Sequence, residues 1–270
     1  MAKINRTLNF RGSQFAYKVK GSGRAILLIH GFLGTQEVWN TYFDRLSTHF
    51  KVISLDLPGH GKSQNLGYVH EMGLMANLVY ALLKELNIRK AVIAGHSLGG
   101  YVGLAFAELF PDHVLGLILV NSTAKGDSKA KINSRNQLIS LLKKDQKRPL
   151  ELLVPNFFNV INRKTGYFRR RYLNMAFKAN HAGILATIEG MKIRKEREIV
   201  LKFAPFPYLH LIGEHDKLLA TKDLMEEAEL NDKGYAILFK ESSHMLLWEE
   251  EEKCYKQIKH FTKNLYRSNH

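Results

Sequence analysis

The feature that most constrains the fold is a serine placed between a strongly apolar run and a helical pattern. Residues 91–94 read Ala-Val-Ile-Ala, and Gly-His-Ser-Leu-Gly-Gly follows at 95–100. The run predicts a buried strand, and apolar residues at helical spacing beyond it predict a helix that begins at Ser97. Glycine at 95 and 99 leaves room for the strand and the helix to approach closely. This arrangement, G-x-S-x-G between a strand and a helix, is typical of a nucleophile elbow.

The elbow predicts a particular chemistry. A helix that begins at Ser97 directs free backbone N–H groups and the positive end of its dipole toward any oxyanion formed there. A serine hydroxyl exposed at such a corner is suited to acyl transfer through a covalent serine intermediate. The alternative is an ordinary strand-to-helix turn, so the interpretation depends on whether the rest of the chain supplies partners for the serine.

Short apolar strands alternate with amphipathic helices on both sides of a strand-free middle region. Up to residue 122 the sequence predicts a hairpin of strands at 8–10 and 15–19, strands at 25–29 and 51–55, a helix at 68–87, the elbow, and a strand at 114–120. Beyond residue 198 it predicts a strand at 208–212, a helix at 221–230, a strand at 235–239 and a closing helix from about residue 247. Continuous apolar strands separated by helices indicate an α/β fold, a mostly parallel sheet of the eight-stranded type with helices on both faces.

The middle region has no strand pattern. It predicts helices at 132–144, 167–180 and 183–193 and a turn at 155–158. We therefore divide the chain into a first core part (1–122), a helical cap (123–198) and a second core part (199–270). Ligands of such sheets bind at the carboxyl ends of the strands, where we expect the cap to lie.

Most of the positive charge lies in the middle region. The chain has a net charge of +15, and residues 124–202 hold 19 Lys and Arg against 6 acidic residues, which is +13. One interpretation is a solvated outer surface of the cap. The other is attraction of anionic substrates or of an anionic lipid surface. Because no nucleic-acid-binding motif accompanies the charge, we expect no nucleic acid partner.

Length and composition bound the class of protein. A chain of 270 residues, 45% hydrophobic and 24% charged, is typical of one soluble globular domain with an inserted subdomain. The single cysteine, Cys254, excludes an internal disulfide, and no apolar signal region begins the sequence, so we expect a cytoplasmic protein. The absence of an H-E-x-x-H motif or paired cysteines predicts no metal, and we expect no cofactor. No pattern selects an oligomeric state.

A nucleophilic serine needs a histidine that takes its proton and a carboxylate that orients the histidine. Both partners should follow strands, and Asp216 and His244 follow the strands predicted at 208–212 and 235–239. The chain order Ser, Asp, His is the one expected for this elbow. The alternatives that remain are Glu214 and Asp127 for the acid, and His215 and His210 for the base.

The oxyanion needs two donors, and the substrate needs a pocket. We predict the backbone N–H of Leu98 as one donor and that of Phe32 as the other, since Gly31 allows the chain to turn there after the first core strand. An ordinary glycine turn is the alternative. Four apolar side chains are predicted to line the substrate pocket, although residues of this kind also build the core of a cap: Leu33, Phe157, Phe158 and Met245.

Taken together, the motifs resemble the α/β-hydrolase superfamily over nearly the whole chain apart from the cap. The resemblance rests on H-G-F at 30–32, D-L-P-G-H-G-K-S at 56–63, G-H-S-L-G-G at 95–100, G-E-H-D at 213–216 and S-S-H at 242–244. It implies a triad of Ser97, His244 and Asp216 with Phe32 and Leu98 as the oxyanion hole. The sequence departs from the family at 218–220, where Leu-Leu-Ala stands in place of the proline that many relatives carry after the acid.

Serine at position 97 argues against the dehalogenase and epoxide-hydrolase branches, which place aspartate at the elbow. Residues 30–34 and 56–61 are similar to a menaquinone-pathway lyase that eliminates pyruvate, but this chain has His96 and Tyr101 where relatives of that lyase carry tyrosine and arginine. We predict hydrolysis of a carboxylic ester of a small, apolar substrate through an acyl-enzyme. The alternatives are such a lyase, a C–C bond hydrolase, and a non-catalytic protein that binds a small molecule.

Overall fold

In the computed structural model, which describes residues 5–267, eight strands form a single sheet. The strands are β1 (Asn5–Phe10), β2 (Ser13–Lys20), β3 (Ala25–Ile29), β4 (Lys51–Leu55), β5 (Ala91–His96), β6 (Val114–Val120), β7 (Tyr208–Gly213) and β8 (Gly234–Phe239). Their order across the sheet is β1-β2-β4-β3-β5-β6-β7-β8. β2 runs antiparallel to β1 and β4, and the strands from β4 to β8 run parallel, which confirms the predicted mostly parallel α/β fold.

Helices connect the strands. They are α1 (Asn40–Leu46), α2 (Met72–Glu85), α3 (Leu98–Leu109), α4 (Lys129–Lys144), α5 (Lys147–Leu153), α6 (Thr165–Lys178), α7 (His181–Lys192), α8 (Glu198–Lys202), α9 (Thr221–Ala228), α10 (Leu246–Glu249) and α11 (Glu251–Arg267). Short 3₁₀ helices lie at Gln36–Trp39, Pro111–His113 and Val154–Phe157. Within residues 5–267, no helix combines the length and the apolar character that crossing a bilayer requires.

The helix predictions need correction. The helix predicted at 68–87 begins only at Met72, because the backbone N–H of His70 bonds to the Ala186 carbonyl (2.9 Å) and holds the chain extended before the helix. The helices α1 and α8 were not predicted, nor was α5. Its sequence contains Pro149, a residue that normally argues against a helix but is tolerated in the first turn.

The core lies on both faces of the central strands. Every residue of β3, β5 and β7 is buried. Successive side chains of a strand point to opposite faces, so complete burial means that both faces are covered. α3 packs against β3, β5 and β6, and α11 packs against β6. The ends of these rigid strands therefore provide a fixed frame for side chains placed in the loops that follow them.

The described chain between β6 and β7 contains helices and no strand, and its two ends are tied together. The Arg197 N–H donates to the Ala124 carbonyl (2.7 Å), and Arg194 donates to the Lys125 carbonyl (3.0 Å). The buried carboxylate of Asp127 accepts hydrogen bonds from both Arg194 and Arg135. We call residues 124–127 and 194–197 the base clamp.

Asp127 is therefore a structural carboxylate. Burial alone would raise the pKa of Asp127, but the hydrogen bonds and charges of Arg135 and Arg194 outweigh this effect and lower the pKa. The side chain is ionised at neutral pH, and its hydrogen-bond partners are Arg135 and Arg194 and not a histidine that a catalytic carboxylate would have to orient.

Candidate active site

The serine of the G-x-S-x-G motif occupies a strained corner between β5 and α3. Ser97 has φ +49° and ψ −114°, and the helix begins one residue later, at Leu98, and not at the serine as predicted. A positive φ is unusual for a residue with a side chain and persists only where its surroundings enforce it. Here the Ser97 N–H donates to the Val120 carbonyl (2.9 Å), and the Ser97 carbonyl accepts from the Ser122 hydroxyl (2.8 Å).

Glycine at positions 95 and 99 allows the corner to be this tight. A β-carbon at position 99 would lie 2.3 Å from the carbonyl oxygen of Ile29, and one at position 95 would lie 2.2 Å from the carbonyl oxygen of Gly99. Both obstacles are backbone atoms of buried elements, which cannot rotate out of the way as a flexible side chain could. The close packing of α3 on β3 and β5 therefore requires glycine at both positions.

We expect Gly99→Ala to lower the free energy of unfolding by about 3 kcal/mol, because the added methyl group forces α3 away from the end of β3. Gly166→Ala is the matched control, since Gly166 lies exposed in the first turn of α6 and a β-carbon there would meet no atom within 4 Å. Urea unfolding of both variants measures the difference. Equal stability of the two variants would contradict the proposed close contact.

The loops that follow β7 and β8 bring a carboxylate and a histidine together. The His244 Nδ1 lies 2.7 Å from the Asp216 Oδ2, and both side chains are buried. The other carboxylate oxygen of Asp216 accepts the N–H groups of Leu218 (2.7 Å) and Leu219 (3.2 Å), which fix its plane. Since the carboxylate can only accept, we assign the proton of neutral His244 to Nδ1, which leaves Nε2 as a free proton acceptor.

Two residues to which the sequence analysis gave no role in the site hold the histidine loop in place. The His244 carbonyl accepts from the Asn121 side-chain amide (2.9 Å) and from the His96 Nε2 (2.9 Å). Asn121 also accepts the Gly213 N–H (2.7 Å), so it joins the ends of β6 and β7 to this loop. Burial lowers the pKa of His96 to about 3, so its ring is neutral at pH 7 and its Nε2–H is a donor. The only signal in the sequence was that each is a polar residue at the end of an apolar strand, His96 as the last residue of β5 and Asn121 directly after β6.

The two predicted oxyanion donors lie where their N–H groups are free of helix and turn bonding. Leu98 is the first residue of α3, so no helical carbonyl lies four residues before it. Phe32 is the second residue of a turn closed by the Gly34 N–H and the Gly31 carbonyl (3.1 Å), and such a turn does not use the N–H of its second residue. The Tyr172 hydroxyl of α6 donates to the Phe32 carbonyl (2.7 Å), which fixes the turn from the side of the helices.

Ser97 and His244 line the same cavity. The cavity has a volume of about 260 Å³, and most of its lining is apolar. The lining residues are Phe32, His96, Ser97, Tyr101, Lys131, Ser134, Arg135, Leu138, Leu153, Phe157, Tyr172, Met191, Leu218, Leu219 and His244. The helices between β6 and β7, from α4 to α7, supply eight of these residues. This helical segment therefore forms one side of the cavity.

The pocket prediction needs correction. Of the four side chains predicted to line it, only Phe157 does so. Leu33, Phe158 and Met245 are fully buried in the core behind the cavity wall, because each packs among apolar neighbours on all sides. Phe158, for example, lies against Phe168 and Trp248. The sequence pattern marked these residues as apolar but could not distinguish an apolar wall from an apolar core.

The alternative acids and bases lie elsewhere. Glu214 and His215 are exposed, and neither lines the cavity. His210 is buried within β7, where burial lowers its pKa to about 3. Among residues 5–267, no three His, Cys, Asp or Glu side chains lie together in a way that could hold a metal ion. Of the predicted chemical groups, Ser97 and His244 line one cavity, and Asp216 is hydrogen bonded to His244.

Comparison with known proteins gives one family and several relatives. A family model described as the alpha/beta hydrolase fold matches residues 24–251. An esterase from Thermogutta terrifontis has a structure similar to this one, with a TM-score of 0.91, 25% sequence identity and coverage of 97% of this chain and 98% of that one. A pimeloyl-[acyl-carrier protein] methyl ester esterase from Wigglesworthia glossinidia brevipalpis is 26% identical over 215 residues, which cover 77% of this chain and 81% of that protein.

A more closely similar segment matches a longer protein. An uncharacterised protein of Mycobacterium tuberculosis is 43% identical over 119 residues, which cover 43% of this chain and 35% of that protein. The match therefore spans about a third of that relative's length.

Proposed function

The chain belongs to the α/β-hydrolase family, and from this premise we propose that it hydrolyses a carboxylic ester of a small, mostly apolar substrate. In this proposal Ser97, His244 and Asp216 act as a catalytic triad, and the N–H groups of Phe32 and Leu98 hold the oxyanion. The observation that carries the proposal is the pairing of His244 with buried Asp216 at the wall of the cavity that also contains Ser97.

The reaction follows from this placement. His244 Nε2 takes the proton of the Ser97 hydroxyl as its oxygen forms a bond to the ester carbonyl carbon, and the negative charge on the carbonyl oxygen is held by two backbone N–H groups. The bond to the alkoxy oxygen then breaks, and His244 returns the proton to the leaving alcohol. A water molecule repeats the sequence on the acyl-enzyme and releases the carboxylic acid and free Ser97. Asp216 keeps the ring of His244 in the tautomer that these steps require.

Two relatives favour the ester among the bonds that this chemistry can cleave. The protein from Wigglesworthia is an esterase by name, and the protein from Thermogutta is described as an esterase. The volume of the cavity, about 260 Å³, favours a small acyl group, since pockets for larger ligands usually hold about 300–1,000 Å³.

A panel of p-nitrophenyl esters of graded acyl length tests the proposal. We expect turnover that is highest for short acyl chains and falls steeply for decanoate, because the cavity is small. The panel includes a lactone and a vinylogous diketone. Cleavage of the diketone without turnover of any ester would replace the proposal by C–C bond hydrolysis. Tight binding of these compounds without any turnover would replace it by a non-catalytic binding protein.

Substitutions at two neighbouring leucines test whether the cavity determines the preference for short acyl chains. Leu153 lines the cavity, whereas Leu152 is exposed. We expect Leu153→Trp to reduce kcat/KM for hexanoate more than for acetate, since the larger ring occupies acyl space. Leu152→Trp should leave the ratio of the two esters unchanged. The same change of ratio in both variants would show that acyl length is selected somewhere else.

A further inference from the structure

Two cations line the otherwise apolar cavity. Lys131 and Arg135 lie four residues apart on α4, so their side chains share one face of the helix, and both are among the lining residues. Among the lining residues of the described chain, no side chain is Asp or Glu. A hydrolase for a neutral apolar ester would need neither cation, because a partly buried charge is costly unless it is paired.

Ion pairs within the protein do not neutralise the charges of Lys131 and Arg135. Within residues 5–267, Lys131 takes part in no ion pair, and its Nζ donates to the Leu218 carbonyl (2.9 Å). A lysine ammonium has three N–H donors, so one hydrogen bond to a carbonyl leaves donors for a ligand. Arg135 pairs with Asp127, but that carboxylate is shared with Arg194. One carboxylate is therefore shared by two guanidinium groups, and Lys131 adds a third positive charge nearby.

The surroundings of Lys131 favour an incoming anion. Burial lowers the pKa of Lys131, and the charges of Arg135 and Arg194 lower it further, whereas Asp127 and Asp216 act in the opposite direction. Asp216 is already hydrogen bonded to His244, and Asp127 to its two arginines. The three cations and two carboxylates leave one positive charge in excess. An anion bound beside Lys131 would neutralise that charge. Its attraction to the ammonium group would offset the hydration that the group loses on burial.

We propose that Lys131 and Arg135 form a subsite for a carboxylate carried by the substrate, so that the preferred esters are half-esters of short dicarboxylic acids. This inference rests on the proposed ester hydrolysis and names its substrate class. The carboxylate lies against Lys131 and Arg135, the intervening carbon chain lies against the apolar wall, and the ester carbonyl lies at Ser97. The wall is formed by residues such as Leu138, Leu153 and Met191.

Two esters of equal acyl length test the subsite. Mono-p-nitrophenyl glutarate carries a free carboxylate, and methyl p-nitrophenyl glutarate is its neutral counterpart. We expect wild-type kcat/KM to be about 10- to 100-fold higher for the anionic ester, the range that a hydrogen bond to a charged group supplies. Lys131→Met should remove most of this preference, measured as the ratio of kcat/KM for the two esters. Lys131→Arg, which keeps the charge and the donors, should retain the preference.

A charge-matched control separates the subsite from the general positive charge of the insertion. Lys143 lies on the same helix but is exposed and does not line the cavity. Lys143→Met removes the same charge and should leave the preference unchanged. An equal loss of preference in both variants would assign it to long-range attraction and overturn the subsite, as would a wild-type preference for the neutral ester.

A binding measurement distinguishes failure of the subsite from failure of the proposed function. Glutarate, the expected product, is titrated calorimetrically into the Ser97→Ala protein with and without the additional Lys131→Met change. Binding that is lost with Lys131→Met supports the subsite even where no ester is hydrolysed. Turnover of esters without preference for the anionic ester and without glutarate binding overturns the subsite and leaves ester hydrolysis standing.

Discussion

Replacing Ser97 with alanine is expected to reduce kcat for ester hydrolysis by about a million-fold, which leaves a residual rate about a thousand- to ten-thousand-fold above the uncatalysed reaction in solution. In the proposed mechanism the change removes the atom that forms a bond to the substrate, while the predicted oxyanion donors and the cavity wall remain. Alanine has the same β-carbon as serine, so the positive φ at this corner is no more strained than before. We therefore expect the melting temperature to be nearly unchanged.

Ser134 offers a matched control for this prediction. It also lines the cavity, but its hydroxyl donates to the Ala130 carbonyl (3.0 Å) and it lies on a helix away from His244. Ser134→Ala should keep turnover within about threefold of wild type, since it removes one hydrogen bond at an exposed position. Retention of full activity by Ser97→Ala would refute the covalent mechanism. A complete loss of turnover in both variants would show that the cavity tolerates no serine replacement. The loss in Ser97→Ala would then not identify Ser97 as the nucleophile.

Replacing Asp216 with asparagine is expected to reduce kcat by about ten-thousand-fold with little change in fold. The amide oxygen can still accept the Leu218 and Leu219 N–H groups, but the amide nitrogen then faces His244 Nδ1 as a donor. His244 can meet that donor only with a bare Nδ1, which moves its proton to Nε2. The tautomer that results cannot accept the proton of Ser97, so the nucleophile is no longer activated.

Glu214 is the matched control for Asp216, because it is an acid in the same loop that the sequence left open as an alternative. It is exposed and lies outside the cavity, so Glu214→Gln should change kcat by less than about twofold. Steady-state kinetics on the best ester of the panel measures both variants. A larger loss in Glu214→Gln than in Asp216→Asn would reverse the assignment of the two carboxylates.

The strands and the order of the elements could be predicted from sequence because complete burial leaves a strong pattern. The five residues of β3 and the seven of β6 are continuous apolar runs, and each agrees with its predicted bounds. The elbow was recognisable for a related reason, since the close contacts at positions 95 and 99 accept only glycine. Asp216 and His244 could be named because parallel strands deliver the loops that follow them to one edge of the sheet.

The cavity wall could not be predicted in the same way. Lys131 and Arg135 appeared only as two of many basic residues between 124 and 202, because the charge count does not say which helix face points inward. Asn121 and Tyr172 hold loops through hydrogen bonds to backbone groups distant in sequence, and no short-range pattern marks such contacts. Tertiary packing of α4 to α7 decides these positions, and helical periodicity gives only the existence of each helix.

The base clamp makes the inserted helices replaceable. Ala124 is hydrogen bonded to Arg197, and Asp127 forms an ion pair with Arg194. The two ends of the segment between β6 and β7 therefore lie side by side, as the ends of a closed loop do. The entropic cost of such a closure rises only with the logarithm of loop length, by about 0.6 kcal/mol for each doubling. Lengthening, shortening or exchanging the segment 128–193 should therefore change what the site accepts without weakening the sheet below. An exchanged segment would need to keep the Tyr172 hydroxyl, because this group fixes the turn at Phe32.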